Sequence, residues 1–170
     1  MNTATGLSLS GLALAVLVLA ANLRRWWKGN RDPKDLAHFG QGFALGALAT
    51  ACAGGLLGWL AGCAPGIANS GGQKGVSGLT GASPSSPIAR GSIGSLTEEG
   101  AVVVAIFAVA VVWSWRTAKK DEKKRLGGGL FCGSTLCATA GIAGMLTWLP
   151  ELVNTIGVQG RTLAESQGWL

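Results

Sequence analysis

Residues able to catalyse a reaction or bind a metal are few in this sequence. The only histidine is His38, and one imidazole cannot hold a metal ion by itself. Cys132 and Cys137 are five residues apart, which is not the spacing of a paired thiolate site. The hydrophobic segments contain no Asp, Glu, Lys, Arg or His, the residues that mark proton relays and ion-coupled transport in membranes. We therefore expect no catalytic, cofactor-binding or metal-binding residue, and we expect the protein not to be an enzyme.

Cys63 has two interpretations. The string Leu60-Ala61-Gly62-Cys63 resembles the lipobox of bacterial lipoproteins, in which the cysteine is acylated outside the membrane. That resemblance implies lipidation of Cys63, although the string follows a second hydrophobic segment here rather than an N-terminal signal. The alternative is coincidence, since small residues are frequent throughout this sequence.

Small residues recur at every fourth position in the second hydrophobic segment, residues 39–64, and form a shorter row in residues 127–149. Four-residue spacing places such residues on one narrow stripe of a helix. In a membrane, small residues let a neighbouring backbone approach closely, and this drives helix association. We predict that both rows are helix-packing faces and that the two segments run parallel and meet along them. The rows are Gly42, Gly46, Thr50, Gly54, Gly58 and Gly62, followed by Gly129, Gly133, Cys137 and Gly141.

Four hydrophobic segments are interpreted as transmembrane helices: residues 7–23, 39–64, 100–115 and 127–149. About 20 apolar residues suffice to cross a bilayer. The predicted fold class is therefore an all-α integral membrane protein with four transmembrane helices. Because the first and third spans are rich in Leu, Val and Ile, we expect them to face lipid.

The distribution of charge predicts the orientation of these spans. The net charge is +6, and eleven of the 14 basic residues lie at positions 24–34 and 116–125. By the positive-inside rule both basic segments face the cytoplasm, so both termini lie outside. Tryptophans stand at the expected edges of the spans, where this residue favours the membrane–water interface. We predict a multi-pass protein of the bacterial cytoplasmic membrane that contacts the lipid bilayer, whereas nucleic acid is an unlikely partner.

An internal repeat relates the two halves of the chain. A shift of 89 residues places Ala49-Thr50-Ala51 on Ala138-Thr139-Ala140 and Trp26 on Trp115. This predicts two αα hairpins of like orientation, residues 1–64 and 100–150. Residues 65–99, made mostly of Gly, Ser, Ala and Pro, are predicted to form a flexible outer loop. Residues 151–170 are predicted to be an outer tail with a short interfacial helix.

In layout and in its Ala- and Gly-rich composition, the chain resembles small multi-span membrane proteins of bacterial mobile elements. These include the spread proteins of actinobacterial conjugative plasmids and the phage holins. The resemblance implies a role in conjugative spread or in phage–host membrane events. We expect a non-enzymatic membrane protein that forms a homo-oligomer or docks onto a membrane-protein partner through its glycine-rich faces. The alternative is a holin-type pore former that uses the same faces.

Overall fold

The computed structural model of the protein describes residues 7–29, 33–82 and 85–167, and most of them are helical. The helices run in the order α1 (Leu9–Lys28), α2 (Pro33–Ala51), α3 (Gly55–Thr80), α4 (Glu98–Thr117), α5 (Lys120–Leu136), α6 (Ala140–Met145) and α7 (Trp148–Ser166). The predicted all-α class is confirmed.

Two of these helices, α1 and α4, are each long and apolar enough to cross a membrane. The α2–α3 pair meets the same test only when taken together, and the two helices are bent by 102° at their junction. The described part of the chain therefore has two or three candidate membrane spans by length and composition. Most of α1 and α4 is exposed, as lipid-facing helices require, but Ala15 and Val104 are buried in the interior.

Helix ends follow from local sequence. The Ser8 and Thr97 hydroxyls accept hydrogen bonds from the backbone N–H groups of Gly11 and Gly100, and so cap α1 and α4. Basic residues in the last turns of α1 and α4 complement the negative end of each helix dipole. Pro33 begins α2, where its missing N–H costs nothing.

The second and fourth predicted spans are not continuous helices, and that part of the prediction is wrong. The second is broken at residues 52–54, and the chain turns at Gly55, whose φ of 71° is a left-handed conformation that favours glycine. The fourth is broken at residues 137–139 and again at 146–147. An uncharged segment of small residues is compatible with a membrane helix. Such a helix can nevertheless be broken where a neighbouring segment forms hydrogen bonds with the backbone N–H and C=O groups that the break releases.

Much of the predicted outer loop is ordered. Its first half belongs to α3, which continues through Pro65 as far as Thr80. In its second half, Ile93 is 1% exposed and packs in a buried cluster with Ala47 and Cys137. Composition predicted flexibility there because the segment has few large apolar residues, but one of them, Ile93, is buried in the interior.

Backbone hydrogen bonds also anchor the second half of that loop. The Gly91 N–H donates to the Ala138 carbonyl at 3.0 Å, and the Ala140 N–H donates to the Ala89 carbonyl at 3.1 Å. These bonds satisfy polar groups that the break after α5 releases from helical pairing.

The two central helices, α2 and α5, form the middle of the molecule. They pack parallel to one another, while α1 crosses α5 in the antiparallel sense, with Ala15 near Cys132 and Asn22 near Gly128. The C-terminal end of α1 and the N-terminal end of α2 therefore lie at the same end of the molecule as the α4–α5 connection. On the other face, α2 packs against α4 and α7 through Leu48.

Candidate functional site

The most extensive contact between two helices in the described part of the chain is the seam between α2 and α5. A Cβ atom at Gly42 or Gly46 would strike the backbone of α5 at Leu126 and Leu130. A Cβ atom at Gly129 or Gly133 would strike the backbone of α2, at Phe39 and Phe43. Glycine is therefore required at these four positions by the approach of the two backbones, which is the packing mode that small residues permit. We refer to these four glycines as the glycine seam.

The glycine seam has local two-fold character. Adding 87 to each residue of α2 gives its counterpart in α5, so that Gly42 corresponds to Gly129 and Gly46 to Gly133. The contacts are reciprocal in the same register, because Gly46 meets Leu130 and Gly133 meets Phe43, the counterpart of Leu130. Reciprocal contacts of this kind are what an isologous dimer interface shows between two chains. Here both halves belong to one chain.

The other six predicted packing residues lie outside the seam. A Cβ atom at Gly54, Gly62 or Gly141 would have nothing within 4 Å. At Gly58 it would meet the carbonyl of Cys52, which belongs to the bend rather than to another helix. The remaining two are Thr50, which lies on α2, and Cys137, which is buried at the break after α5.

A hydrogen-bonding arrangement that the sequence did not predict occurs twice and anchors the outer helices α3 and α7. The side-chain oxygen of Asn69 accepts hydrogen bonds from the Ser8 backbone N–H at 2.8 Å and from its hydroxyl at 2.9 Å. The side-chain oxygen of Asn154 accepts the same two bonds from Thr97, at 3.0 and 3.3 Å. In both places one asparagine binds the residue that caps the N-terminus of a candidate membrane helix.

Close glycine contacts accompany both asparagines. A Cβ atom at Gly72 would strike the backbone of Ser10, and one at Gly157 would strike the backbone of Glu99. The sequence signal is the pattern Pro-x-x-x-Asn-x-x-Gly, which begins at Pro65 and again at Pro150. A shift of 85 residues superposes these two patterns. A constant shift of 89 residues does not align these two patterns.

Three successive shifts therefore relate the two halves of the chain: 89 for α1 and α4, 87 for α2 and α5, and 85 for α3 and α7. Each half has three helical parts, not the predicted hairpin of two. The third part is α3 in the first half and α6 with α7 in the second. The predicted match of residues 49–51 with 138–140 is out of register by two to four residues, because the α4–α5 connection is shorter than the α1–α2 connection and α5 is shorter than α2.

Potentially reactive groups do not assemble into a catalytic set in the described ranges. A cavity of about 390 Å³ beside the α2–α3 break is lined by Thr50, Cys52, Ser134, Cys137 and Arg90 among others. The hydroxyls and the Cys52 thiol each donate to a carbonyl of their own helix. Across residues 7–29, 33–82 and 85–167, no group of three or more His, Cys, Asp or Glu side chains is placed to hold a metal ion.

The two remaining sequence candidates lie apart from each other. Cys63 is a free, half-buried thiol within α3, and its acylation stays a prediction. His38 lies on α2, where its Nδ1 is 2.9 Å from the Lys34 carbonyl oxygen and its Nε2 is 3.9 Å from a carboxylate oxygen of Glu122. It thus links the first turns of the two central helices.

The 19-residue helix α7 begins three residues before the predicted interfacial segment and covers most of it. Its exposed apolar residues include Trp148, Leu152 and Ile156, which are spaced by four and share one face. Arg161 pairs with Glu165 at 2.8 Å and with Glu99 at 3.0 Å, and these hydrogen bonds raise the pKa of Arg161. The ion pair with Glu99 adds a second tie between α7 and the start of α4.

No protein-family model matches the chain, and neither a curated protein nor a solved structure is significantly similar to it. The candidate site is therefore described by its own geometry: a small helical chain with candidate membrane spans, a glycine seam and two fastened outer helices.

Proposed function

We propose that this chain is a non-enzymatic component of the bacterial cytoplasmic membrane that associates with a second copy or with another membrane protein. Its basic connections face the cytoplasm and its termini face outside, as the positive-inside rule requires. The resemblance to mobile-element proteins suggests conjugative spread as the process it serves.

The observation that carries this proposal is the division of the small residues into two groups. Gly42, Gly46, Gly129 and Gly133 are already occupied within the chain. Gly54 and Gly62 have open space where a Cβ atom would lie, next to the exposed side chains of Leu56 and Trp59. A partner helix can approach α3 closely only at such open positions, so the first turns of α3 are the proposed contact face.

The test replaces Gly54 and Gly62 with leucine in the full chain. Both side chains enter open space, so folding and insertion should be retained, while close approach by a partner helix is blocked. We expect the double variant to lose its oligomer, or its membrane-protein partner, in detergent pull-down and cross-linking. A matched control is Val102→Leu with Val109→Leu, because both valines lie on the exposed face of α4. Equal association of the parent and the glycine variant would refute the proposed contact face.

The holin alternative is separated from this proposal by membrane potential. A pore former should collapse the potential abruptly on induced expression, whereas a docking component should leave it unchanged. Orientation is tested in the same cells by single-cysteine labelling in a background without native cysteines. Thr80→Cys should react with an impermeant maleimide from outside, and Lys120→Cys should react only after permeabilisation. The reverse pattern would overturn the proposed orientation.

A further inference from the structure

A groove runs along the basic end of α1, on the surface that faces away from the other helices. It is shallow and open to the surroundings, has a volume of about 650 Å³, and continues from an apolar part to a basic part. The lining residues are Leu17, Ala20, Ala21, Arg24, Arg25, Lys28 and Gly29. Residues 17, 21, 24 and 28 follow the spacing of one helix face, so the apolar part and the charges lie in line.

The basic side chains of this groove have no ionic partner in the described part of the protein. The side chains of Arg24, Arg25 and Lys28 are exposed and form no ion pair or hydrogen bond with the part of the chain that the structure describes. The second basic segment differs, because Lys124 pairs with Asp121 and the Glu122 carboxylate accepts a bond from the Lys119 backbone N–H. Acidic residues thus offset part of the charge there.

We propose that this groove binds an anionic phospholipid. The helix is a candidate membrane span, so Leu17 and Ala21 lie at the depth of acyl chains while the basic residues lie toward the headgroups. Arg24 follows Leu17 by about 10 Å along the helix axis. The two small alanines leave room for an acyl chain beside the helix, and arginine forks bind phosphate oxygens in a bidentate manner. Charge complementarity selects an anionic headgroup over a zwitterionic one.

The proposal is independent of any assembly through α3. It requires only that the folded chain sits in lipid, and it concerns the face of α1 opposite to the interior. Failure of the pull-down described above would leave it intact, and the reverse also holds.

The experiment is native mass spectrometry of the full chain, released from nanodiscs that contain equal amounts of phosphatidylglycerol and phosphatidylcholine. The parent should retain one phosphatidylglycerol molecule. In the triple variant Arg24→Gln, Arg25→Gln and Lys28→Gln, the abundance of that adduct should fall at least about fivefold, because each basic residue near an anionic headgroup contributes to the binding free energy. The control Lys120→Gln, Lys123→Gln and Lys124→Gln removes the same formal charge and should retain the lipid.

A second variant separates a lipid site from a cluster of cations. Ala21→Trp fills the apolar part and keeps every charge, so it should also reduce the adduct. Soluble glycerol phosphate should not displace the lipid, because it lacks an acyl chain. The proposal is overturned if phosphatidylcholine is retained equally, or if both triple variants lose the lipid to the same extent. It is also overturned if Ala21→Trp binds as the parent does, or if soluble phosphate displaces the lipid. Circular dichroism confirms folding, and Ala21→Trp decides the matter if the triple variant unfolds.

Discussion

Replacing Gly133 with alanine tests the glycine seam directly. The added methyl group would meet the backbone of α2 at Phe43 and Ala47, which cannot rotate away as a side chain could. The two helices must therefore separate along the seam. Gly62→Ala is the matched control, because its methyl group enters open space on another helix.

The magnitude follows from two opposing terms. Alanine is favoured over glycine within a helix by about 0.5–1 kcal/mol, and this gain applies to both variants. Overpacking against fixed atoms costs about 2–3 kcal/mol, and this cost applies only to Gly133→Ala. We expect the free energy of unfolding to fall by about 1–2.5 kcal/mol in Gly133→Ala and to rise slightly in Gly62→Ala. The two variants should therefore differ by about 2–3 kcal/mol in their free energy of unfolding.

The two-fold relation of the seam gives the experiment an internal check. Gly46→Ala places its methyl group against Leu130 and Ser134, the counterparts of the residues that face Gly133. It should therefore cost as much as Gly133→Ala to within about 0.5 kcal/mol. The double variant should cost less than the sum, because both changes widen the same seam. SDS titration followed by tryptophan fluorescence measures all four values in mixed micelles. Equal midpoints for Gly133→Ala and Gly62→Ala would refute the close approach of the two backbones.

Three further predictions concern residues outside the seam, and the same titration checks them. Asn69→Ala should cost about 1–2 kcal/mol and Asn154→Ala about half of that, because the Ser8 groups that Asn69 binds are buried whereas those of Thr97 are exposed; equal losses would contradict this ranking. Ile93→Ala should cost about 2–4 kcal/mol if residues 85–96 are fixed on the core, and nothing if they are flexible. Thr135→Val should leave stability unchanged or raise it by about 1 kcal/mol, because the buried Thr135 hydroxyl has no hydrogen-bond partner among the described residues; a clear loss would reveal a bound partner.

The sequence predicted the helical class, and it placed the four glycines of the seam on two rows, for reasons that are local. Hydrophobic runs and four-residue spacing are both recognised within a single helix. Predictions of this kind do not depend on contacts with distant parts of the chain. The same spacing indicated a helix after Pro150, but α7 begins at Trp148 and, with 19 residues, is longer than the predicted short helix.

What the sequence did not predict depends on contacts between distant residues. The break at residues 137–139 is stable because Gly91 and Ala89 satisfy its backbone groups, and these lie almost 50 residues earlier in the chain. The anchoring of α3 depends on Asn69 reaching Ser8, 61 positions away. The amino-acid composition of residues 65–99 contains neither fact. It therefore predicted a loop where the structure has a glycine-rich helix and a buried isoleucine.

The repeat explains why the glycine rows are satisfied within one chain. Each central helix carries the pattern that the other one fits, so either could pair with its counterpart in the same chain or in another. The counterpart in the same chain is tethered at an effective concentration of about millimolar, which favours the internal pairing over an equivalent contact between chains. Four-residue spacing therefore marks residues that permit close packing, but the contacts between the two halves of the chain decide which of them are packed. Any association between chains must use small residues that the internal pairing leaves open, and Gly54 and Gly62 meet that condition while Gly46 does not.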